Sequence, residues 1–82
     1  MGKFEKTIYK LLTGTSDTNF KFEELRNILF LLGFEERIAS SHHIFKKKGC
    51  VGIINIQKDK NQEAKPYQVK QVRDFLINNK LI

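Results

Sequence analysis

Two histidines stand side by side in the stretch Ser40-Ser41-His42-His43-Ile44-Phe45-Lys46-Lys47-Lys48-Gly49. Imidazole is the side chain that both takes and gives protons near neutral pH. In its neutral form it can remove the proton of a ribose 2′-hydroxyl, and as imidazolium it can give one to a leaving oxygen. Lysines close by would hold the phosphate and offset charge that develops in the transition state. His42 and His43 are therefore the candidate acid/base groups, with Lys46, Lys47 and Lys48 behind them. Metal ligation fits poorly. Adjacent histidines on a strand diverge, Cys50 is not at a ligand spacing, and no carboxylate cluster lies nearby, so neither a metal nor a cofactor is expected.

The elements that must carry these residues follow from hydrophobic periodicity. Phe4, Ile8, Leu11 and Leu12 predict a helix over Lys3 to Leu12, with Gly14 as its stop and Thr13 to Asn19 as a loop. Phe22, Leu25, Ile28, Leu29 and Leu32 predict a second helix, opened by Glu23 and Glu24 and closed by Gly33. The period then drops to two. Strands are expected at Phe34 to Ala39, His42 to Lys47 and Val51 to Gln57, joined by turns at Ser40-Ser41 and Lys48-Gly49. The third strand, richest in β-branched residues, is expected to be the central or most buried one. After a polar loop over Lys58 to Lys65, Pro66 opens a last helix that carries Val69, Val72, Phe75 and Leu76 to about Asn79.

The order helix, helix, three-strand meander, helix implies an α+β fold. Short connections favour a three-stranded antiparallel sheet with the helices on one face and the other face open. His43 and Phe45 share one face of their strand, His42 and Ile44 the other. Phe45 is the better core residue, so its face belongs to the helices and His42 points outward.

Charge sharpens the picture. The 82 residues make one domain, 1–82, with a net charge of +6. Met1 to Ser41 balances six basic against six acidic residues, whereas His42 to Ile82 holds nine basic and three acidic ones. The excess lies wholly in the half that begins with the histidines, a footprint for a polyanion or an acidic protein partner. The single Cys50 excludes a disulfide framework and fits a reducing compartment. Met1-Gly2-Lys3-Phe4-Glu5 does not read as a signal peptide, and the longest apolar stretch, Ile28 to Phe34, is too short to span a bilayer. A cytoplasmic protein without a membrane partner is the expectation.

Three segments together resemble the HicA family, the mRNA interferases of HicA/HicB type II toxin–antitoxin systems. They are GFEERIASSHHIFKKKG from Gly33 to Gly49, IINIQKD from Ile53 to Asp59, and AKPYQVKQVRDFL from Ala64 to Leu76. The resemblance covers about residues 20–81 and leaves the helix within residues 1–14 as an addition. It implies a fold like that of double-stranded-RNA-binding domains, and metal-independent cleavage of mRNA by an endoribonuclease in which His42 is catalytic. Ser41 would help place the ring or a phosphate, and Lys65 would join Lys46, Lys47 and Lys48 on RNA phosphates. A HicB-type antitoxin is the implied protein partner. One position departs from the family pattern. Ser40 stands where glycine is usual, and serine narrows both the positive φ and the close backbone approach that glycine permits.

Two other functions stay open on the residues alone. A non-catalytic RNA-binding module suits the fold but has no need of an imidazole, and a protein-interaction domain could use the basic face on an acidic partner. Double-stranded DNA fits poorly, because no helix carries a cluster of base-reading side chains. His43 is the alternative to His42 as acid/base.

Overall fold

A computed structural model describes residues 2–14 and 17–82. The elements are α1 (Lys3–Thr13), a short 3₁₀ turn (Asp17–Asn19), α2 (Phe22–Leu31), β1 (Glu35–Ala39), β2 (His42–Lys46), β3 (Ile54–Ile56) and α3 (Pro66–Asn78). This is the expected α+β order of helix, helix, three antiparallel strands, helix. Of the loop expected over Thr13 to Asn19, Thr15 and Ser16 lie outside the described residues, and its last three residues form the 3₁₀ turn.

Local chemistry explains the helix limits. α1 ends on Gly14 at φ 69°, a left-handed cap that glycine adopts without a Cβ clash. Glu24 Oε1 accepts a hydrogen bond from the backbone N–H of Lys21 at 3.1 Å, satisfying a donor just ahead of α2. The same carboxylate meets Lys10 Nζ at 3.0 Å and ties α1 to α2. At its other end α2 closes on two reversed bonds, Gly33 N–H to Phe30 O and Phe34 N–H to Leu29 O, both 3.0 Å. Pro66 occupies the first turn of α3, where its missing N–H costs nothing.

All three helices lie on one face of the sheet. The core between them holds Leu11, Phe20, Phe22, Leu25, Leu29, Phe45, Ile54, Ile56, Val69, Val72 and Leu76, none more than 1% exposed. Arg73 fastens the far side of α3. Its guanidinium meets both carboxylate oxygens of Asp17, at 2.9 and 3.1 Å, and donates to Leu11 O at 3.2 Å, near the C-terminal end of α1.

The strand order is β1-β2-β3, so β2 is the central strand. Val51 to Gln57 is therefore not the central strand, although its paired part is the most buried of the three. Only Ile54–Ile56 pairs, and it does so at an edge. Gly52 takes φ 96° just before β3, a backbone state that ends an extended run, and Val51 is left 92% exposed. The buried character of that segment resides in Ile54 and Ile56, which alternate inward around the exposed Asn55. Among the described residues no helix is long and apolar enough to cross a membrane.

Candidate functional site

The register of the β1–β2 hairpin decides where every candidate side chain points. Ala39 lies opposite His42, Ile38 opposite His43, Arg37 opposite Ile44, Glu36 opposite Phe45 and Glu35 opposite Lys46. On the other side of β2, His43 faces Ile56, Ile44 faces Asn55 and Phe45 faces Ile54. Strand alternation then sends Glu36, His43, Phe45, Ile54 and Ile56 toward the helices. Glu35, Arg37, His42, Ile44, Lys46 and Asn55 lie on the uncovered face. Phe45 is fully buried and His42 is exposed, as the alternation predicts.

The turn that sets this register is Ser40-Ser41. Ser40 sits at φ 58°, while Ser41 is not among the positive-φ residues. A positive φ at the first central residue suits a two-residue hairpin of the primed kind, and glycine is its usual occupant. The chain therefore holds a serine in a conformation that glycine adopts more easily, one residue before Ser41 and two before His42. Ser41 itself is exposed.

The inward histidine is held through Nδ1 and an edge-on ring contact. Glu36 Oε2 accepts from His43 Nδ1 at 2.8 Å and from Arg26 Nε at 2.8 Å, and Glu36 Oε1 accepts from Arg26 Nη2 at 2.8 Å. The two parallel Arg26 bonds hold the Glu36 carboxyl at about 2, the His43 bond adding to an effect that burial opposes. Arg26 is raised in turn by the same carboxylate. A carboxylate with that pKa only accepts, so His43 Nδ1 carries the hydrogen. The ring of His43 also meets Phe22 edge-on at 4.7 Å between centroids. His43 is thus a strut between α2 and the sheet.

Among the described residues the outward histidine has one hydrogen-bond partner. His42 Nδ1 lies 3.1 Å from Asn55 Oδ1 on β3, diagonally across the open face. Arg37 occupies the diagonal position on β1, a spacing that a long side chain bridges. Both residues went unnoticed in the sequence. Their proximity to His42 depends on strand register, and the β-hairpin signal at Ser40-Ser41 was the only clue to it.

The expected phosphate contacts are not gathered at one point. Lys46 shares the face of His42 but stands four residues along β2, roughly 13 Å at the usual strand rise. Lys47 turns toward the C-terminal end of α2: a Cβ added to Gly33 would sit 2.8 Å from its Nζ. Lys48 is exposed in the following turn. Lys65 belongs to the other end of the sheet, that of His42. β3 leaves the sheet there, Lys58 bridges Ala64, and Lys65 caps α3. Arg37, Lys46, Lys48, Lys58 and Lys65 form no ion pair among the described residues, in contrast to Lys10, Arg26, Lys70 and Arg73.

A shallow depression of about 400 Å³ on the open face is lined by Glu35, Glu36, Arg37, Ile44, Lys46 and Ile53. A larger cavity of about 630 Å³ lies between α1 and α2 against Phe4, Ile28, Phe30 and Leu31, and neither histidine borders it. The open face is the better candidate site because Arg37, Lys46 and the exposed His42 share it. Among the described residues no three His, Cys, Asp or Glu side chains are grouped so that they could hold a metal ion. Cys50 is partly exposed and unpaired. No protein-family model matches the chain, and comparison with curated proteins and with solved structures gave no match.

Proposed function

We propose that the chain is an endoribonuclease of the HicA type that cuts mRNA with His42 as its acid/base group. The observation that carries this reading is the contrast between the two imidazoles: His43 is held against Glu36 and Phe22 on the packed face, while His42 is exposed on the open face with Asn55 as its hydrogen-bond partner. His42 takes the proton of a ribose 2′-hydroxyl, and the 2′-oxygen attacks the adjacent phosphorus. The 5′-oxygen then leaves with a proton from the imidazolium, giving a 2′,3′-cyclic phosphate and a 5′-hydroxyl. Arg37 and Lys65, the free cations at the same end of the sheet, hold the scissile phosphate, and Ser41 supports the ring or the phosphate from the turn. Lys46 and Lys48, further off beyond the end of β2, hold the RNA on one side of the cut. Such contacts orient the strand without reading its sequence. A HicB-type antitoxin would then cover the open face.

The test is incubation of the purified chain with mRNA in EDTA, beside His42→Ala. Cleavage by the wild type, absent in the variant and absent on RNA whose target nucleotide lacks the 2′-hydroxyl, is expected. Undiminished cutting of the 2′-deoxy substrate would overturn the chemistry. One observation favours a second reading. Lys46 and Lys48 lie away from His42, so an RNA-binding module could use them without any imidazole. RNA binding without cleavage, unchanged in His42→Ala, would decide for it.

A further inference from the structure

We propose that Asn55 is a positioning residue for His42. By holding Nδ1 it sets the imidazole tautomer and leaves Nε2 as the atom that exchanges protons. What those protons are exchanged with rests on the ribonuclease reading; the tautomer does not.

The starting point is the pair of ring contacts on β2. Each histidine engages a neighbour through Nδ1: His43 with the carboxylate of Glu36 at 2.8 Å, His42 with the amide oxygen of Asn55 at 3.1 Å. An amide oxygen only accepts, so the hydrogen lies on Nδ1 of His42 and the lone pair of the neutral ring lies on Nε2. The opposite tautomer would put the lone pair against the oxygen and leave the exposed nitrogen with nothing to take a proton. Asn55 reaches this position because Ile44 faces Asn55 in the register, one diagonal step from His42 on the same face. Ile54 and Ile56, buried on either side of it, keep that stretch of β3 in place.

The choice of partner matters as much as the contact. A carboxylate favours the charged ring and would bias His42 toward imidazolium. An acid/base group that works in both directions must lose its proton as readily as it gains one. The amide orients the ring without adding charge, and Nδ1–H persists in both protonation states, so the anchor is undisturbed while Nε2 cycles. The chain puts its carboxylate on the inward histidine, which has a structural task, and its neutral amide on the outward one.

The experiment combines nitrogen-15 NMR of the histidine rings with cleavage kinetics on the full chain. Asn55→Val removes the acceptor and keeps a good strand residue at an exposed site. In the wild type, above the titration of the ring, His42 should be mainly the Nδ1–H tautomer, and in Asn55→Val the ratio should move several-fold toward Nε2–H. On an RNA substrate the same variant should lower kcat by roughly tenfold with KM little changed, because a wrong tautomer withholds the base without weakening binding. Asn55→Asp restores the acceptor and adds charge, so activity should return and the acid limb of the pH–rate profile should move up by about one pH unit. A wild-type ring that is mainly Nε2–H, or a ratio unchanged in Asn55→Val, would overturn the proposal. A wild type that cuts no RNA would refute the nuclease reading alone, and the ring tautomers would still decide the role of Asn55.

Discussion

His42 and His43 are consecutive residues of one strand, and the two faces of the sheet give them opposite surroundings. On the covered face, His43 shares the Glu36 carboxylate with Arg26 and lies edge-on to Phe22, so its loss is felt by the fold. On the open face, His42 touches Asn55 and is otherwise exposed, so its loss should be felt only by chemistry. Identical side chains one residue apart thus differ in surroundings, and in the proposed reading they divide into strut and tool. The cause is the period of two in a strand whose one face is packed and whose other is bare.

The sharpest way to break this comparison is to truncate each ring in turn. His42→Ala should lower RNA cleavage by about 10²–10⁴-fold, the usual worth of a general acid/base, and leave the melting temperature nearly unchanged. His43→Ala should do the reverse. It removes a hydrogen bond to a charged group and an aromatic edge contact, together about 2 kcal/mol, which in a chain of this size lowers the melting temperature by roughly 10 °C. Cleavage measured well below that melting point should persist. The division would be refuted if His42→Ala unfolded the chain, or if a folded His43→Ala lost all cleavage.

Glu36 tests the same contrast through acid. Its folded carboxyl titrates at about 2, below the ordinary 4.5. Folding therefore gains from the ionised form above about pH 4.5, and that gain disappears as pH falls from there through about 2. Glu36→Gln keeps the shape but not the charge that Arg26 and His43 share. It should cost about 2 kcal/mol at neutral pH and flatten this part of the acid denaturation curve. Denaturant midpoints taken at intervals from pH 7 to pH 2 read both effects. Equal acid sensitivity in the two proteins would mean that Glu36 is not the group being titrated.

Arg37 gives a smaller effect on the open face. If it holds one phosphate beside His42, Arg37→Ala should raise KM for RNA by about tenfold and reduce the slope of log affinity against log salt by about one, with little change in stability. A Lys46→Ala change of the same size in kcat would instead place the cut nearer the far end of β2.

Much of this division is legible in the sequence. The fall from helical to alternating periodicity after Gly33 located the hairpin, and Phe45 identified the packed face because a phenyl ring has more to gain from burial than Ile44 beside it. What escaped was everything set by register. Arg26 lies ten residues from Glu36 and Asn55 thirteen from His42, and nothing local announces either pair. Lys46, Lys47 and Lys48 looked like one cluster because they are contiguous. Alternation and the turn at Lys48-Gly49 send them in three directions. β3 was overrun at its start for a backbone reason: Gly52 at φ 96° stops the extended chain that Val51 and Ile53 would otherwise continue.

The smallest expected effect concerns the turn that hands His42 to the open face. Ser40 holds φ 58°, where a Cβ crowds the backbone at a cost of about 1–2 kcal/mol relative to a residue without one. Ser40→Gly relieves that crowding but gives the unfolded chain more freedom to lose, so the net gain should be near 1 kcal/mol, or about 4–8 °C in melting temperature. Ser40 lies in the turn and outside the contact between His42 and Asn55, so the chemical shifts of both rings should stay in place. The chain would then be more stable with an unaltered site, which separates the turn's part in positioning β2 from any part its hydroxyl plays in catalysis. A lower melting temperature in Ser40→Gly would show that the serine hydroxyl contributes more to the hairpin than its strained backbone takes away.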